Sequence, residues 1–262
     1  MQFAVIGNPI HHSLSPILHN SAFKSLGVVG FYSRYLLENP ENFSSLKNLH
    51  LTGANITVPF KEIAFKSCNE VFGIAQEIGA VNTLVFEKEK ILGYNTDALG
   101  FYQCIESLNP KNTLIIGAGG SAKALACILK AKGISTTILN RSQSRLESFI
   151  ALGFHTATFE NFTPKECFDL IINTTPAGLT NDSLPLDSTL LAPLLDSTKF
   201  AFDLVYGRET PFLTLAKSLN IPHSDGKQML INQAILAFEI FMESQKIPIN
   251  KTILRQSMQT AL

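Results

Sequence analysis

A glycine-rich turn follows an apolar strand pattern at Thr113–Ala122 (TLIIGAGGSA). Such a turn opens a helix whose backbone N–H groups face an anion, and a dinucleotide pyrophosphate binds there. Gly117 permits the tight turn, Gly119 lacks the Cβ that would block the phosphates, and Ala122 lets helix and strand pack closely. The motif predicts a dinucleotide site formed by Gly117, Ala118, Gly119, Gly120, Ser121 and Ala122.

The end of the next strand indicates which dinucleotide fits. In an NAD site this strand ends in Asp or Glu, which accepts a hydrogen bond from the ribose 2′-hydroxyl. Here it ends in Asn140, Arg141 and Ser142, and Arg145 follows about one helical turn later. These residues offer donors to a dianionic 2′-phosphate and no repelling carboxylate. We therefore expect the cofactor to be NADP.

A glycine-rich turn alone also fits a tight strand-to-helix connection that binds nothing. The flanking sequence favours the dinucleotide interpretation. Ser121–Lys132 is rich in helix formers, Gly133 can end that helix, and Ile134–Leu139 has the pattern of a second strand. The segment is a complete βαβ unit of about thirty residues.

Polar residues at predicted strand ends and helix starts suggest a second site, in the N-terminal part. Ser13 and Ser15 precede a helix and suit a carboxylate, although they equally fit helix caps. Thr57 shares a strand face with Asn55, and Lys61 follows. Lys61 is either a functional ammonium group or a solvated residue at a helix start.

These side chains match hydride transfer between a nicotinamide and a secondary alcohol, which needs a proton donor or acceptor at the carbinol oxygen. Lys61 can protonate the forming alkoxide, and Asp97 can orient the ammonium group while bonding a neighbouring hydroxyl. The sequence shows no Ser/His/Asp order and no nucleophilic cysteine motif that would indicate nucleophilic catalysis instead. The hydroxyl and amide groups that suit a polyhydroxylated, carboxylated substrate belong to Ser13, Ser15, Thr57, Asn82 and Gln233.

Composition argues against several other classes of protein. The 262 residues are 45% hydrophobic, enough for two compact domains, and 21 basic residues balance 21 acidic ones. Because the net charge is zero, the chain has no strongly basic or acidic surface that would favour nucleic acid or an anionic membrane.

The cysteines lie far apart and the N-terminus reads directly as a strand, so we expect a cytoplasmic protein. No stretch approaches the length of a membrane span.

Three histidines, His11, His12 and His19, stand beside no cysteine or carboxylate at ligand spacing. We interpret them as polar histidines of a loop and a helix surface. We therefore predict no metal site.

The N-terminal part alternates strand and helix patterns and predicts a mixed-sheet α/β domain over residues 1–100. Ser15 suits the N-cap of its first helix and Gly27 the end. The last two strands, joined by a charged turn over 87–90, resemble a hairpin added to parallel strands. Predicted strands are Gln2–Gly7, Phe31–Leu36, Gly53–Val58, Ala80–Glu87 and Lys90–Tyr94, and predicted helices are Pro16–Leu26, Phe43–Leu49, one from Lys61, and Asp97–Leu108.

A second, Rossmann-type doubly wound domain is predicted over residues 101–235. Phe168–Asn173 and Phe200–Asp203 are further parallel strands, with polar residues where ligands bind in such sheets. Asn181–Pro193 is rich in Pro, Asp and Ser and predicts a surface loop. The helix patterns Gln228–Ser244 and Asn250–Leu262 either close this domain or return to the first one.

Nine segments, in order, resemble the shikimate dehydrogenases. A shared dinucleotide fold alone would not reproduce those of the N-terminal domain. The segments are GNPIHHSLSP (7–16), NITVPFK (55–61), GAVNT (79–83), GYNTDALGF (93–101), IGAGGSAKA (116–124), NRS (140–142), NTTPAGL (173–179), FDLVY (202–206) and DGKQMLINQA (225–234).

The resemblance implies reversible NADPH-dependent reduction of 3-dehydroshikimate to shikimate, a step in making aromatic amino acids. It implies that Lys61 and Asp97 are the catalytic pair and that residues 236–262 complete the first domain. We expect the protein to be a monomer or homodimer. Implied substrate contacts are Ser13 and Ser15 at the carboxylate, Tyr206 near it, and Thr57, Asn82, Asp97 and Gln233 at ring hydroxyls. Implied cofactor contacts beyond the two motifs are Thr174, Leu204 and Gly226.

Two alternative functions are an NAD-preferring enzyme of the same kind and a regulator without activity. An NAD-preferring quinate/shikimate dehydrogenase usually carries an acidic residue where Arg141 stands. A catalytically silent NADP-binding regulator would be expected to have lost Lys61 or Asp97, and both are present. The chain departs from the family pattern at Ala177 and Gln228, where we expect an effect on cofactor affinity.

Overall fold

The computed structural model describes residues 1–88, 90–164 and 167–262. It divides into two compact units, one made of Met1–Gly100 with Leu230–Leu262 and the other of Phe101–Met229. From Leu230 onward, both predicted C-terminal helices belong to the first unit. The chain re-enters that unit before Leu230, whereas the sequence predicted the boundary between residues 235 and 236.

The first unit is built on a six-stranded mixed sheet in the order β2-β1-β3-β5-β6-β4. Strand β1 is parallel to β2 and β3, whereas β5 is antiparallel to β3 and β6. The predicted hairpin is confirmed, although Glu89 in its turn lies outside the described residues. The strands are β1 (Gln2–Gly7), β2 (Phe31–Leu36), β3 (Gly53–Ile56), β4 (Glu70–Val71), β5 (Thr83–Glu87) and β6 (Lys90–Tyr94).

The helices of this part are α1 (Ser15–Leu26), α2 (Lys61–Ser67), α3 (Ala75–Ile78) and α4 (Thr96–Ile105). Leu14 occupies the N-cap of α1, so the predicted capping by Ser15 is wrong, whereas Gly27 ends the helix at φ 67° as predicted. Pro40–Leu49 is a 3₁₀ helix where an α-helix was expected. Ser45 donates to the Asn42 carbonyl oxygen at 2.7 Å, the kind of local bond that competes with α-helical pairing.

The second unit contains a six-stranded parallel sheet in the order β12-β11-β10-β7-β8-β9. This is the doubly wound order, with the topological switch between β7 and β10, and the predicted fold class is confirmed. Its elements are β7 (Asn112–Ile116), α5 (Gly120–Ala131), β8 (Ser135–Asn140), α6 (Glu147–Ala151), β9 (His155–Thr158), β10 (Leu170–Asn173), α7 (Ser188–Asp196), β11 (Phe200–Asp203), α8 (Pro211–Ser218) and β12 (His223–Ser224).

The loop predicted over Asn181–Pro193 is wrong from Ser188 onward, where α7 begins. The Asp187 carboxylate caps this helix by accepting the Thr189 N–H at 2.9 Å. Leu191 and Leu195 are fully buried, at the i, i+4 spacing of an apolar helix face. The helical spacing of leucines outweighed the turn-forming composition.

Two C-terminal helices, α9 (Lys227–Ser244) and α10 (Lys251–Gln259), complete the chain. Phe238 and Phe241 of α9 pack in one core with Phe3 and Phe23. A second core on the same sheet includes Phe60. None of the helices among the described residues combines the length and apolarity needed to cross a membrane. The described residues also contain no cluster of three or more His, Cys, Asp or Glu suited to a metal.

His19 is a core residue, which corrects its predicted place on a helix surface. Its side chain is 1% exposed, and its ring stacks on Tyr32 with centroids 4.1 Å apart. Phe238 lies on it as well, at 5.9 Å between ring centroids. Burial lowers the pKa of His19 from 6.5 to about 3, so the imidazole is neutral in the folded protein at neutral pH.

We expect His19→Phe to flatten the dependence of unfolding free energy on pH. The unfolded chain protonates His19 below 6.5 while the folded protein does so only near 3. Stability present above pH 6.5 is therefore lost as the pH falls, by up to about 1.4 kcal/mol per pH unit. Urea unfolding at several pH values between about 7.5 and 5.5 measures this slope.

The exposed His11 provides the control, because His11→Gln should keep the wild-type slope. A His19→Phe variant that loses stability as steeply as wild type would contradict the assignment.

Candidate active site

Lys61 and Asp97 form a charge-assisted hydrogen bond, with Nζ and Oδ2 2.7 Å apart. Lys61 begins α2, and its carbonyl oxygen accepts the Val81 N–H at 2.9 Å. Asp97 lies in the first turn of α4, where Asn95 Oδ1 accepts the Ala98 N–H at 3.2 Å. The side chains are 17% and 13% exposed, so the pair is sheltered but reachable. An ammonium group held in this way can exchange a proton with a bound oxygen.

Asn82 is held beside this pair by a buried network. Its Oδ1 accepts from the Thr96 N–H at 2.8 Å and the Thr83 hydroxyl at 3.0 Å, and its Nδ2 donates to the Thr96 hydroxyl at 3.0 Å. Asn55 Nδ2 donates to Thr83 Oγ1 at 3.0 Å, while Tyr32 donates to Asn55 Oδ1 at 2.7 Å. The network fixes the Asn82 carboxamide against the start of the helix that carries Asp97.

Sequence reasoning missed the supporting members of this network, Tyr32, Thr83 and Thr96. The available signal was the pair of Asn-Thr steps in AVNT and YNTD, which places hydroxyls next to the selected amide and carboxylate. Tyr32 carried no such signal, because β1 separates β2 from β3 and only the folded sheet brings Tyr32 within reach of Asn55.

Leu14 occupies the N-cap of α1, so Ser15 does not cap the helix, whereas Ser13 keeps a structural role at the helix start. Ser13 Oγ lies 3.3 Å from Ser15 Oγ, and the Ser15 N–H donates to Ser13 Oγ at 3.4 Å. The Arg34 guanidinium donates to the Ser13 carbonyl oxygen from Nε at 3.0 Å and from Nη2 at 2.6 Å. Arg34, which sequence reasoning missed, thus anchors a loop with two hydroxyls at the N-terminus of α1.

Thr57 follows β3, where its N–H donates to the Ile6 carbonyl oxygen at 2.9 Å. A Cβ at Gly7 would overlap the Thr57 methyl group, so glycine permits the close approach. Gln233 of α9 is 8% exposed, and its Nε2 donates to the Leu230 carbonyl oxygen at 2.8 Å. The predicted residues of the first unit are Ser13, Ser15, Thr57, Lys61, Asn82, Asp97 and Gln233.

The predicted phosphate-binding turn joins β7 to α5 in the second unit. Gly117 has φ 111°, and a Cβ there would lie 2.5 Å from Thr174 Oγ1. A Cβ at Gly119 or Gly120 would meet nothing within 4 Å, so the N-terminus of α5 faces open space. The first turn of α5 carries no acidic residue. This arrangement, at the topological switch of the sheet, fits a pyrophosphate.

A cavity of about 430 Å³ lies beside the end of β8. Asn140 and Arg141 line it on one side and Thr175–Ala177 on another. Among the residues that the structure describes, its lining includes no Asp or Glu, and Arg141 and Arg145 are both exposed. Asn140 Nδ2 donates to the Ser142 carbonyl oxygen at 3.0 Å, which orders the turn. The cavity suits a phosphorylated ribose.

The remaining predicted residues follow β10, β11 and β12 in the second unit. Thr174 Oγ1 donates to the Ile116 carbonyl oxygen at 2.8 Å. A Cβ at Gly226 would overlap the Leu204 carbonyl oxygen, so this crossing requires glycine. Tyr206 is half-buried, and burial raises the pKa of its phenol. Thr174, Leu204, Tyr206 and Gly226 therefore belong to the unit that holds the glycine-rich turn.

Comparisons with known proteins agree with this geometry. A family profile described as "Shikimate dehydrogenase substrate binding domain" matches residues 5–84. The protein named "Shikimate dehydrogenase (NADP(+))" of Helicobacter hepaticus is 54% identical, covering 93% of this chain and 91% of that protein. The protein of the same name in Helicobacter acinonychis is 52% identical, covering 93% of each.

Solved structures agree in fold. The crystal structure of shikimate 5-dehydrogenase from Thermus thermophilus, in complex with NADP(H) and shikimate, matches with a TM-score of 0.84. The match covers 100% of both chains at 31% sequence identity.

Proposed function

The chain belongs to the shikimate dehydrogenase family, and from that premise we propose that it catalyses the reversible NADPH-dependent reduction of 3-dehydroshikimate to shikimate. This reaction is a step in making aromatic amino acids. The observation that carries the proposal is the Lys61–Asp97 pair, 2.7 Å apart and sheltered among hydroxyl and amide groups. A cytoplasmic location and a monomeric or homodimeric state remain predictions.

Lys61 acts as the proton donor of the reduction. When bound, NADPH supplies a hydride to the carbonyl carbon. The Lys61 ammonium group gives its proton to the oxygen that becomes the alcohol, and the resulting amine regains one from solvent. Asp97 holds Lys61 Nζ in place and accepts a hydrogen bond from a neighbouring hydroxyl of the substrate. In the oxidative direction Lys61 accepts the proton.

The other polar groups of the first unit orient the substrate. We assign the carboxylate to the Ser13 and Ser15 hydroxyls, because their oxygens lie 3.3 Å apart at the N-terminus of α1. The ring hydroxyls fall to Thr57, Asn82, Asp97 and Gln233, and the family resemblance assigns Tyr206 of the second unit to the carboxylate end. Arg34 supports the two serines indirectly, because its two hydrogen bonds fix the Ser13 carbonyl oxygen.

The second unit provides the cofactor residues. Gly117–Ala122 holds the pyrophosphate, and Thr174, Leu204 and Gly226 lie along the nicotinamide half. Asn140, Arg141, Ser142 and Arg145 hold the 2′-phosphate, and the Arg141 guanidinium in the cavity lining supports NADP over NAD. The intact Lys61–Asp97 bond weighs against a silent regulator. Ala177 lines the same cavity, which supports its expected influence on cofactor affinity.

Initial rates of NADP⁺ reduction by shikimate test the proposal directly. We expect turnover with shikimate and NADP⁺, and much slower rates when NAD⁺ replaces NADP⁺ or quinate replaces shikimate. Comparable rates with NAD⁺ or quinate would favour the broader quinate/shikimate class. NADPH binding without turnover would favour the regulator.

Lys61→Ala should lower kcat about 100- to 10,000-fold, because it removes the proton donor. The KM for shikimate should change less than about tenfold. Steady-state kinetics measures both. Lys66→Ala is the matched control, since Lys66 is an exposed lysine of the same helix and should leave both constants unchanged. Parallel losses in kcat and in substrate affinity would make Lys61 a binding residue only.

Arg141→Ala should raise the Kd for NADPH about 10- to 100-fold, because a charge-assisted bond to the 2′-phosphate is lost. The Kd for NADH, which lacks that phosphate, should change less than about threefold. Isothermal titration calorimetry without substrate measures both constants. Arg255→Ala, an exposed arginine of α10 in the other unit, is the control. Equal weakening of both nucleotides would remove Arg141 from the phosphate site.

A further inference from the structure

Gly100 of α4 lies directly against the backbone of α9. A Cβ at Gly100 would lie 2.7 Å from the Gln233 backbone nitrogen, 2.9 Å from its Cβ and 3.0 Å from its Cα. All three distances are shorter than ordinary van der Waals contact, and the Gln233 backbone atoms cannot rotate away. Any larger residue at position 100 therefore pushes the two helices apart at Gln233.

Asn232 fastens the same crossing from the opposite helix. Its Nδ2 donates to the Gly100 carbonyl oxygen at 3.1 Å, and the residue is 7% exposed. A close approach to Gln233 and a buried hydrogen bond from Asn232 thus coincide at Gly100. The crossing is specified by the missing side chain at Gly100 of α4 and by the Asn232 carboxamide of α9.

This crossing places Gln233 on the catalytic side of α4. Gly100 lies three positions after Asp97 on that helix, and residues three apart share a helix face. The residue in contact with Gly100 therefore lies on the face that carries Asp97. Displacing α9 would move the Gln233 amide relative to Asp97 without touching the bond between Asp97 and Lys61.

We propose that Gly100 and Asn232 are positioning residues for substrate affinity, because together they set where Gln233 stands relative to Asp97. The proposal rests on the proposed function, in which Gln233 binds a ring hydroxyl. Gly100 and Asn232 both act through Gln233.

A double-mutant cycle tests this dependence. Gly100→Ala should raise the KM for shikimate about tenfold while changing kcat less than about threefold. The pH profile of kcat should stay as in wild type, because the Lys61–Asp97 pair is unaltered. When Gln233 has already been replaced by Ala, adding Gly100→Ala should change KM less than about twofold, because there is no longer a side chain to misplace.

Asn232→Ala provides a second double-mutant cycle, and this substitution introduces no steric overlap. Its result is used if Gly100→Ala shows no cooperative unfolding transition and is therefore not folded. It should raise the KM in the wild-type background and have little effect in the Gln233→Ala background. Leu99→Ala is the matched control on the same helix, since Leu99 is 42% exposed and outside the crossing, and it should leave KM and kcat unchanged.

Multiplicative effects on KM in both cycles would overturn the proposal, as would an altered pH profile in Asn232→Ala. A Gln233→Ala variant with wild-type KM would overturn it too, together with the role of Gln233, while leaving the reaction in place. Failure of the proposed function has a different signature, because wild type itself would then not oxidise shikimate.

Discussion

The 2.7 Å bond between Lys61 Nζ and Asp97 Oδ2 joins two helices that begin far apart in sequence, and each helix start is anchored independently. The Lys61 carbonyl oxygen is bound by the Val81 N–H, and the Asn95 carboxamide holds the Ala98 N–H at the start of α4. A sheltered ion pair of this kind is costly to break on one side only. Both charged side chains must therefore be positioned together. The hydrogen bonds at the starts of α2 and α4 meet this requirement.

Buried polar side chains near this pair follow the same logic. Tyr32, Asn55 and Thr83 form a bonded series that ends on Asn82. Each is nearly inaccessible to water, so each would be destabilising without its partner. Because every member has a hydrogen-bond partner, the network is rigid, and it orients the Asn82 carboxamide toward the site. The dinucleotide turn differs, since Gly119 and Gly120 leave space and supply backbone N–H groups.

The sequence predicted regular elements well where one pattern dominated. Phe31–Leu36, Lys90–Tyr94 and Phe200–Asp203 are strands with the expected bounds, because apolar or alternating residues fill them. Prediction failed where two patterns competed, as in α7, whose turn-forming residues hid its leucine spacing. It also failed for His19, because residue type suggested exposure while the aromatic environment exists only after folding. Motifs identified the candidate site residues, whereas Arg34, Thr96 and Gly100 depend on contacts between distant segments.

The division of the chain has a consequence for the order in which it folds during synthesis. The second unit is continuous from Phe101 to Met229 and can bury its core as soon as that stretch leaves the ribosome. The first unit is made first but cannot be completed until α9 and α10 emerge. Until then Phe3 and Phe23 lack Phe238 and Phe241, the aromatic rings that cover them. The nascent chain thus carries an open apolar sheet face throughout synthesis of the second unit, and this half of the enzyme depends most on protection from aggregation.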